Sequence, residues 1–263
     1  MSRETVPVWD PAQYTRYADE RSRPFHELTG RIRATDPATV VDLGCGPGDL
    51  TATLADRWPR AQVTGVDSSP DMIARAAALT RDRLAFAQAD AATWAPSAPP
   101  DVITANALFQ WIPGHDAILT RLAGALAPGG TLAFQVPGNF GAPSHVLLRE
   151  ICRAPRWRDR LGDTVRDAPV DTPSGYLDLL AGADRTVDAW ETTYLHLLHG
   201  TDAVLEWVKG TALRPMLTRL ADAADRDAFV GEYAAALRDA YPQRSYGTVF
   251  PFRRVFVVAT AAG

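Results

Sequence analysis

Lysine is almost missing from this sequence. Lys209 is the single lysine among 27 basic residues, set against 31 acidic ones in 263 residues, for a formal net charge of -4. A dedicated nucleic-acid binder would show a basic face, and a phosphate-cradling P-loop needs a lysine that no glycine-rich stretch here supplies. Arginine's planar fork suits bidentate recognition of carboxylates, so individual arginines remain of interest. Cysteine is nearly as scarce: Cys45 and Cys152 make neither a disulfide framework nor a metal cluster. Cys45 lies between two glycines, where a small apolar side chain suffices. The sequence has no run of about eighteen apolar residues that would span a membrane. Its start, MSRETVPVWDPAQY, lacks the apolar stretch of a signal peptide. A reduced, cytoplasmic protein with no membrane partner and no nucleic-acid partner is expected. Internal repeats and low-complexity linkers are also absent.

What the chain does have is alternation of apolar, β-branched runs with segments of helical period. SRPFHELTGRIRA predicts a helix over Ser22–Ala34 with Pro24 in its first turn. TVVDL, AQVTGVD, RLAFAQAD, DVITANAL and TLAFQVP read as strands, separated by the helical segments DLTATLADRWP, SPDMIARAAAL and HDAILTRLAGALAPGG. Strand–helix alternation over residues 38–137 argues for an α/β fold with a parallel sheet covered on both faces. Beyond residue 142 the pattern turns helical, broken by two more strand-like segments, TVDAWETTYLHLL and TVFPFRRVFVVAT. The reading is one domain, 1–263. Its core covers about 35–140, with strands near 187–198 and 249–260. A helical cap drawn from 1–34, 142–185 and 200–247 is expected over the carboxyl ends of the strands, where open α/β sheets bind ligands.

The segment VVDLGCGPGDL carries the first chemical signal. Gly44 and Gly46 fit the opening of a dinucleotide fingerprint, but Asp49 stands at the third glycine position, Gly48 comes one residue early and Pro47 stiffens the turn. The acids say more. Asp42, at the strand end before the glycines, would repel a pyrophosphate at short range and favour an ammonium or sulfonium. Asp67 ends the second strand, where an acid accepts ribose hydroxyls. Asp90 ends the third, in reach of an adenine amino group. Each acid alone is accounted for by strand-end polarity or helix capping, and capping is the reading for Asp49. Together they ask for a ribose, an adenine and a cation without phosphates, a description that S-adenosylmethionine meets.

VVDLGCGPG, GVDSSPDMI, AQADAATW and ANALFQWIP resemble the successive motifs of class I S-adenosylmethionine-dependent methyltransferases. WDPAQY, ERSRPF, QVPGNF, PSHVLLRE, DAWETTYLHLL and FPFRRVFVVA narrow the likeness to the trans-aconitate methyltransferases, over nearly the whole chain. The resemblance implies a Rossmann-like, seven-stranded sheet with an antiparallel last strand and a helical cap. By it, Gly44, Gly46 and Gly48 shape the turn under the donor's methionine, and Asp42 holds its ammonium side, partly through water. Asp67 takes the ribose hydroxyls, with Ser68 and Met72 beside the adenosine. Asp90 and the backbone of Ala91 face the adenine, and Asn106 lies beside the methionine and the reactive methyl. Asp49 stands where a typical relative has Asn. The implied reaction makes a monomethyl ester on one carboxylate of a small tricarboxylate, with S-adenosylhomocysteine as the other product and no metal.

A carboxylic acid with a pKa of about 4 is already an anionic nucleophile at pH 7, so no general base and no catalytic side chain are expected. Positioning and desolvation are left to do the work. Two spectator carboxylates call for cations gathered locally. Arg21 and Arg23, placed before the first helix, are candidates together with Tyr14. His145 and Arg149, four apart on one helix, share a face. Arg253 and Arg254 point to opposite sides of their strand, and Arg254 is taken as the inward one. Tyr194 and His196 share one strand face, with Leu195 and Leu197 on the other; which face meets the pocket is open. Trp111 either walls the donor's methyl region or packs in the core. His26 and His199 are read as structural or surface residues. A single chain acting as a monomer is expected. Competing readings are a methyltransferase of another small acid, phenol or amine, a donor-binding regulator without turnover, and a dinucleotide oxidoreductase.

Overall fold

A computed structural model describes residues 18–165, 167, 169–182 and 184–263, of which 18–21 by backbone alone. Five short apolar runs form parallel strands: β1 (Thr39–Leu43), β2 (Gln62–Asp67), β3 (Leu84–Gln88), β4 (Val102–Asn106) and β5 (Thr131–Pro137). Two longer strands, β6 (Arg185–Leu198) and β7 (Thr248–Ala261), complete a seven-stranded sheet of order β3-β2-β1-β4-β5-β7-β6. β7 runs antiparallel to β5, with Gln135 opposite Phe256 and Pro137 opposite Arg254. The described helices are α1 (Ala18–Gly30), α2 (Asp49–Arg57), α3 (Pro70–Ala76), α4 (His115–Gly124), α5 (Pro143–Arg153), α6 (Arg158–Leu161), α7 (Pro173–Leu180), α8 (Ala203–Lys209), α9 (Arg214–Arg219) and α10 (Ala223–Ala240). None is long and apolar enough to cross a membrane.

The chain divides into two compact units. One comprises Arg21–Gly138, Val170–Thr192 and Arg254–Gly263; the other comprises Asn139–Pro169 and Thr193–Arg253 with residues 18–20. Residues 21–34 and 170–185, which the sequence reading assigned to the cap, group with the sheet. In the sheet unit β4 and β5 are buried on both faces, as a central parallel strand must be. Phe134 of β5 packs edge-on to both Phe109 and Tyr176. The other unit has its own core, in which Trp157 meets Phe229 edge-on and donates its indole N–H to Glu232 at 2.7 Å. There the Tyr233 hydroxyl donates to the carbonyl of Ser144 at 2.8 Å, and the Tyr241 oxygen accepts from the Ser144 amide at 3.0 Å.

The first helix departs from expectation. It ends at Gly30 rather than Ala34, and Pro24 lies inside it rather than in its first turn, at the cost of one backbone bond. Arg57 explains the early end. Its guanidinium donates to the carbonyls of Thr29 and Ile32, and Trp58 donates to that of Ala34, so these carbonyls are satisfied without further helix. Arg21 and Arg23 consequently sit within the helix, not ahead of it.

Close approach dictates glycine at position 65 of β2. A Cβ there would lie 2.6 Å from Phe86 Cδ1 and 3.0 Å from Cys45 Cβ. Gly65→Ala is expected to lower unfolding free energy by about 1–3 kcal/mol through overpacking, with part of the loss restored by Phe86→Leu. Urea unfolding of the two single variants and the double variant measures both effects.

Candidate functional site

The three glycines after β1 all have positive φ, +71° at Gly44, +56° at Gly46 and +89° at Gly48, a region that L side chains rarely adopt. Their surroundings differ. A Cβ on Gly44 would strike the Leu108 side chain at 2.9 Å, and one on Gly48 would strike the Phe86 ring at 2.8 Å. Of the three, Gly46 alone has nothing among the described residues within 4 Å of where a Cβ would stand, which leaves its backbone approachable by a ligand. Gly48 therefore serves packing: it caps α2 and brings the helix start against Phe86, the task that the third glycine performs in a dinucleotide fold. Asp49 does not cap. It is the first residue of α2, exposed, where its charge complements the helix dipole.

Asp67, at the end of β2, accepts from the Gly46 amide on Oδ2 at 2.9 Å and from the Ser69 amide on Oδ1 at 2.8 Å. Each oxygen keeps a further lone pair for a hydroxyl donor. Ser69 caps α3, accepting from the Met72 amide at 3.4 Å with Pro70 at the first helical position, as the sequence signals. Met72 is half-buried and Ser68 exposed. Asp90, also exposed, accepts from the Ala92 amide at 2.9 Å and shapes the turn that buries Ala91.

Asp42 is the buried member of the set. Thr51 donates to its Oδ2 at 2.6 Å and Thr104 to its Oδ1 at 2.8 Å. Burial pushes its carboxyl up to about 6 and outweighs the two hydroxyls, which pull it down. The negative charge thus sits behind the glycine turn, held by two threonines that leave no periodic trace in the sequence.

Farther along the same strand ends, Gln135 of β5 donates from Nε2 to Asn106 Oδ1 at 2.5 Å, and Arg254 of β7 donates to Gln135 Oε1 at 3.1 Å. Arg254 is buried, so the inward choice between the two arginines is met by this contact. Trp111 is 36% exposed, which excludes plain core packing. His115, not singled out by its sequence context, is buried. Its Nδ1 bonds the carbonyl of Ile112 at 3.2 Å, so Nε2 accepts from the Tyr176 hydroxyl at 2.8 Å. The Tyr176 oxygen in turn accepts from the Asp171 amide at 3.2 Å. This chain locks α4 to α7, with Asp116 Oδ1 3.6 Å from the same His115 Nε2.

In the other unit, Arg149 donates to the carbonyl of Phe140 at 2.8 Å and lies 3.3 Å from Asp167. His145 is not a cation at neutral pH: burial, and secondarily Arg149, lower its pKa to about 4. Tyr194 and His196 face inward while Leu195 and Leu197 are exposed. His196 stacks on Tyr194 and, with 4.8 Å between ring centroids, on Trp207. Arg23 is exposed and pairs with Glu27 at 2.7 Å. His26 and His199 are exposed. Tyr14 and the side chain of Arg21 lie outside the described residues. Among the described residues no group of three or more His, Cys, Asp or Glu is placed to hold a metal ion.

The arrangement offers an open backbone at Gly46, carboxylate acceptors for hydroxyls and a buried negative charge, the complement of a cationic nucleoside. Asp42 gives this a measurable sign. Its folded pKa of about 6 exceeds the ordinary 3.8, so the folded state binds more protons than the unfolded one between these values. Stability is therefore highest below about pH 4, falls on the order of 3 kcal/mol as pH rises to 6, and is flat above for this group. Asp42→Asn should remove that component of the slope, measured by urea unfolding at pH 4, 5 and 7.

A family model described as a methyltransferase domain matches residues 40–130. A trans-aconitate 2-methyltransferase of Streptomyces avermitilis is 57% identical over 262 residues, covering 97% of each chain. One from Streptomyces coelicolor is 55% identical, covering 97% of this chain and 87% of its own. Among solved structures, phosphoethanolamine N-methyltransferase 2 of Haemonchus contortus with S-adenosyl-L-methionine shares the fold, with a TM-score of 0.53 at 16% identity, over 91% of this chain and 52% of that one. With relatives this similar over almost its whole length, the chain belongs to the trans-aconitate 2-methyltransferase family of class I S-adenosylmethionine-dependent methyltransferases.

Proposed function

We propose that the protein forms a monomethyl ester on one carboxylate of trans-aconitate, with S-adenosylmethionine as donor. The observation that carries the donor half is the turn at Gly46, open above its backbone among the described residues and backed by Asp67 and Asp42. The acceptor half is supported by the 57% identity to a relative named for this activity. When bound, the donor supplies a methyl on a sulfonium, transferred in line to a carboxylate oxygen as the sulfur–carbon bond breaks.

The chain's own residues have modest chemical duties. Asp67 offers acceptor sites to the ribose hydroxyls beyond its two amide bonds, and the Asp90 turn borders the adenine, with Ser68, Met72 and Ala91. The charge of Asp42 favours the donor's ammonium through the turn, and Asn106 and Trp111 border the methyl. No side chain need take a proton, because the acceptor is already a carboxylate. Arg21, Arg23 and Arg149 with Tyr14 are assigned to the spectator carboxylates. His145, neutral at pH 7, suits the reacting one: a full cation there would quench its nucleophilicity, whereas an uncharged N–H donor orients it. Tyr194 and His196 are assigned to the acceptor as well. We expect a monomer acting in the cytoplasm.

Incubation with labelled donor and a panel of small polycarboxylates, read by mass spectrometry, tests this directly. The expected product is a singly methylated ester of trans-aconitate, formed faster than from the other acids. Clear methylation of a different acceptor with none of trans-aconitate would refute the assignment.

A further inference from the structure

We propose that Gln135 and Arg254 act as positioning residues that fix the amide of Asn106, so that its Nδ2–H, and not its Oδ1, is presented to a carboxylate of the bound ligands. The inference rests on the reading above that Asn106 borders the donor's methionine and the methyl.

Elementary donor and acceptor chemistry leaves one assignment. A guanidinium has only N–H donors, so the Gln135 atom that meets Arg254 at 3.1 Å is Oε1. Nε2 is then the end of Gln135 that reaches Asn106, and as a donor it requires Oδ1 opposite, at 2.5 Å. Nδ2 is then the end of the Asn106 amide that Gln135 does not engage, on a residue that is half-buried at the end of β4. The three side chains lie on one sheet face: Asn106 pairs directly with Gln135, and Arg254 is two residues from Phe256, which also pairs with Gln135. Gln135 and Arg254 are buried, so the orientation is set away from solvent.

The backbone repeats the grip. Ala107 has φ +54°, a left-handed conformation that a non-glycine residue rarely adopts. The carbonyl of Gln135 accepts its amide at 2.9 Å. Gln135 thus holds both the side chain of Asn106 and the strained peptide after it, and strain of this kind persists where surrounding structure enforces it. An amide N–H suits a carboxylate and not an ammonium. Both the donor's α-carboxylate and the acceptor's reacting carboxylate supply that chemistry.

Three substitutions separate orientation from packing. Gln135→Glu keeps size and gives Arg254 a charged acceptor, yet a carboxylate cannot donate, so Asn106 must turn Oδ1 outward. Gln135→Met removes the preference without reversing it. Asn106→Asp keeps an acceptor for Gln135 and presents oxygen to the ligand. Calorimetry with S-adenosylmethionine alone reads the donor's carboxylate, and kcat/KM for trans-aconitate at saturating donor reads the acceptor's. In one of these arms Gln135→Glu and Asn106→Asp should each lose roughly ten- to hundredfold, the span for a hydrogen bond to a charged group, with Gln135→Met between them and wild type. Thermal melting should follow the opposite order, Glu above Met. On an Asn106→Ala background Gln135→Glu should cost nothing further. The inference is overturned if Gln135→Glu or Asn106→Asp matches wild type in both arms, if Met is worse than Glu, or if the Glu loss persists in full without Asn106. Absence of ester from wild-type protein would refute the functional reading alone; the calorimetric arm, which requires no acceptor, then decides by itself, a loss in Gln135→Glu and Asn106→Asp supporting the inference and wild-type donor affinity in either overturning it.

Discussion

The Asp67 carboxylate, holding the amides of Gly46 and Ser69, is the interaction on which the site depends. It ties the turn after β1 to the start of α3 after β2, and so sets the distance between the open backbone at Gly46 and the second strand end. Three glycines with positive φ give the turn its shape but no preference among ligands. The preference comes from charge. Asp67 suits a ribose with or without a pyrophosphate, but with Asp42 buried behind the turn a pyrophosphate would be repelled, whereas a sulfonium or ammonium would be attracted.

Much of this was legible in the sequence, and the parts that were not have identifiable causes. The core strands lie where their apolar runs place them, since a buried parallel strand admits little else. The first helix was displaced by Arg57, a long-range contact that no local pattern encodes. Gly48 read as part of the ligand turn because its packing partner, Phe86, is 38 residues away in sequence and adjacent only once β3 pairs with β2. Thr51 and Thr104 were missed because a hydroxyl facing a buried acid looks the same in sequence as any threonine in a helix or strand. The faces of β6 were undecidable since the exposed side carries leucines; the aromatic stack of Tyr194, His196 and Trp207 settles which side is buried.

The chemistry inferred for the site is economical. A carboxylate acceptor brings its own charge, so the protein's contribution is orientation, solvent exclusion and a field that suits the donor. The relay from Arg254 through Gln135 to Asn106 belongs to the same scheme: a donor-only cation inside the sheet decides which end of an amide meets the ligand. Arginine does the work here that its abundance over lysine suggested, though on an amide rather than directly on a carboxylate.

The central claim is that the turn is built for a cation, with Asp42 as the charge behind it. It is tested most directly by calorimetric titration of S-adenosylmethionine near pH 5.5 in buffers of different ionisation enthalpy. Binding of the donor's ammonium should draw Asp42 into its charged form, so the titrations should report net proton release that disappears in Asp42→Asn and fades above pH 7. Proton uptake, or binding with no proton exchange at pH 5.5, would contradict the account.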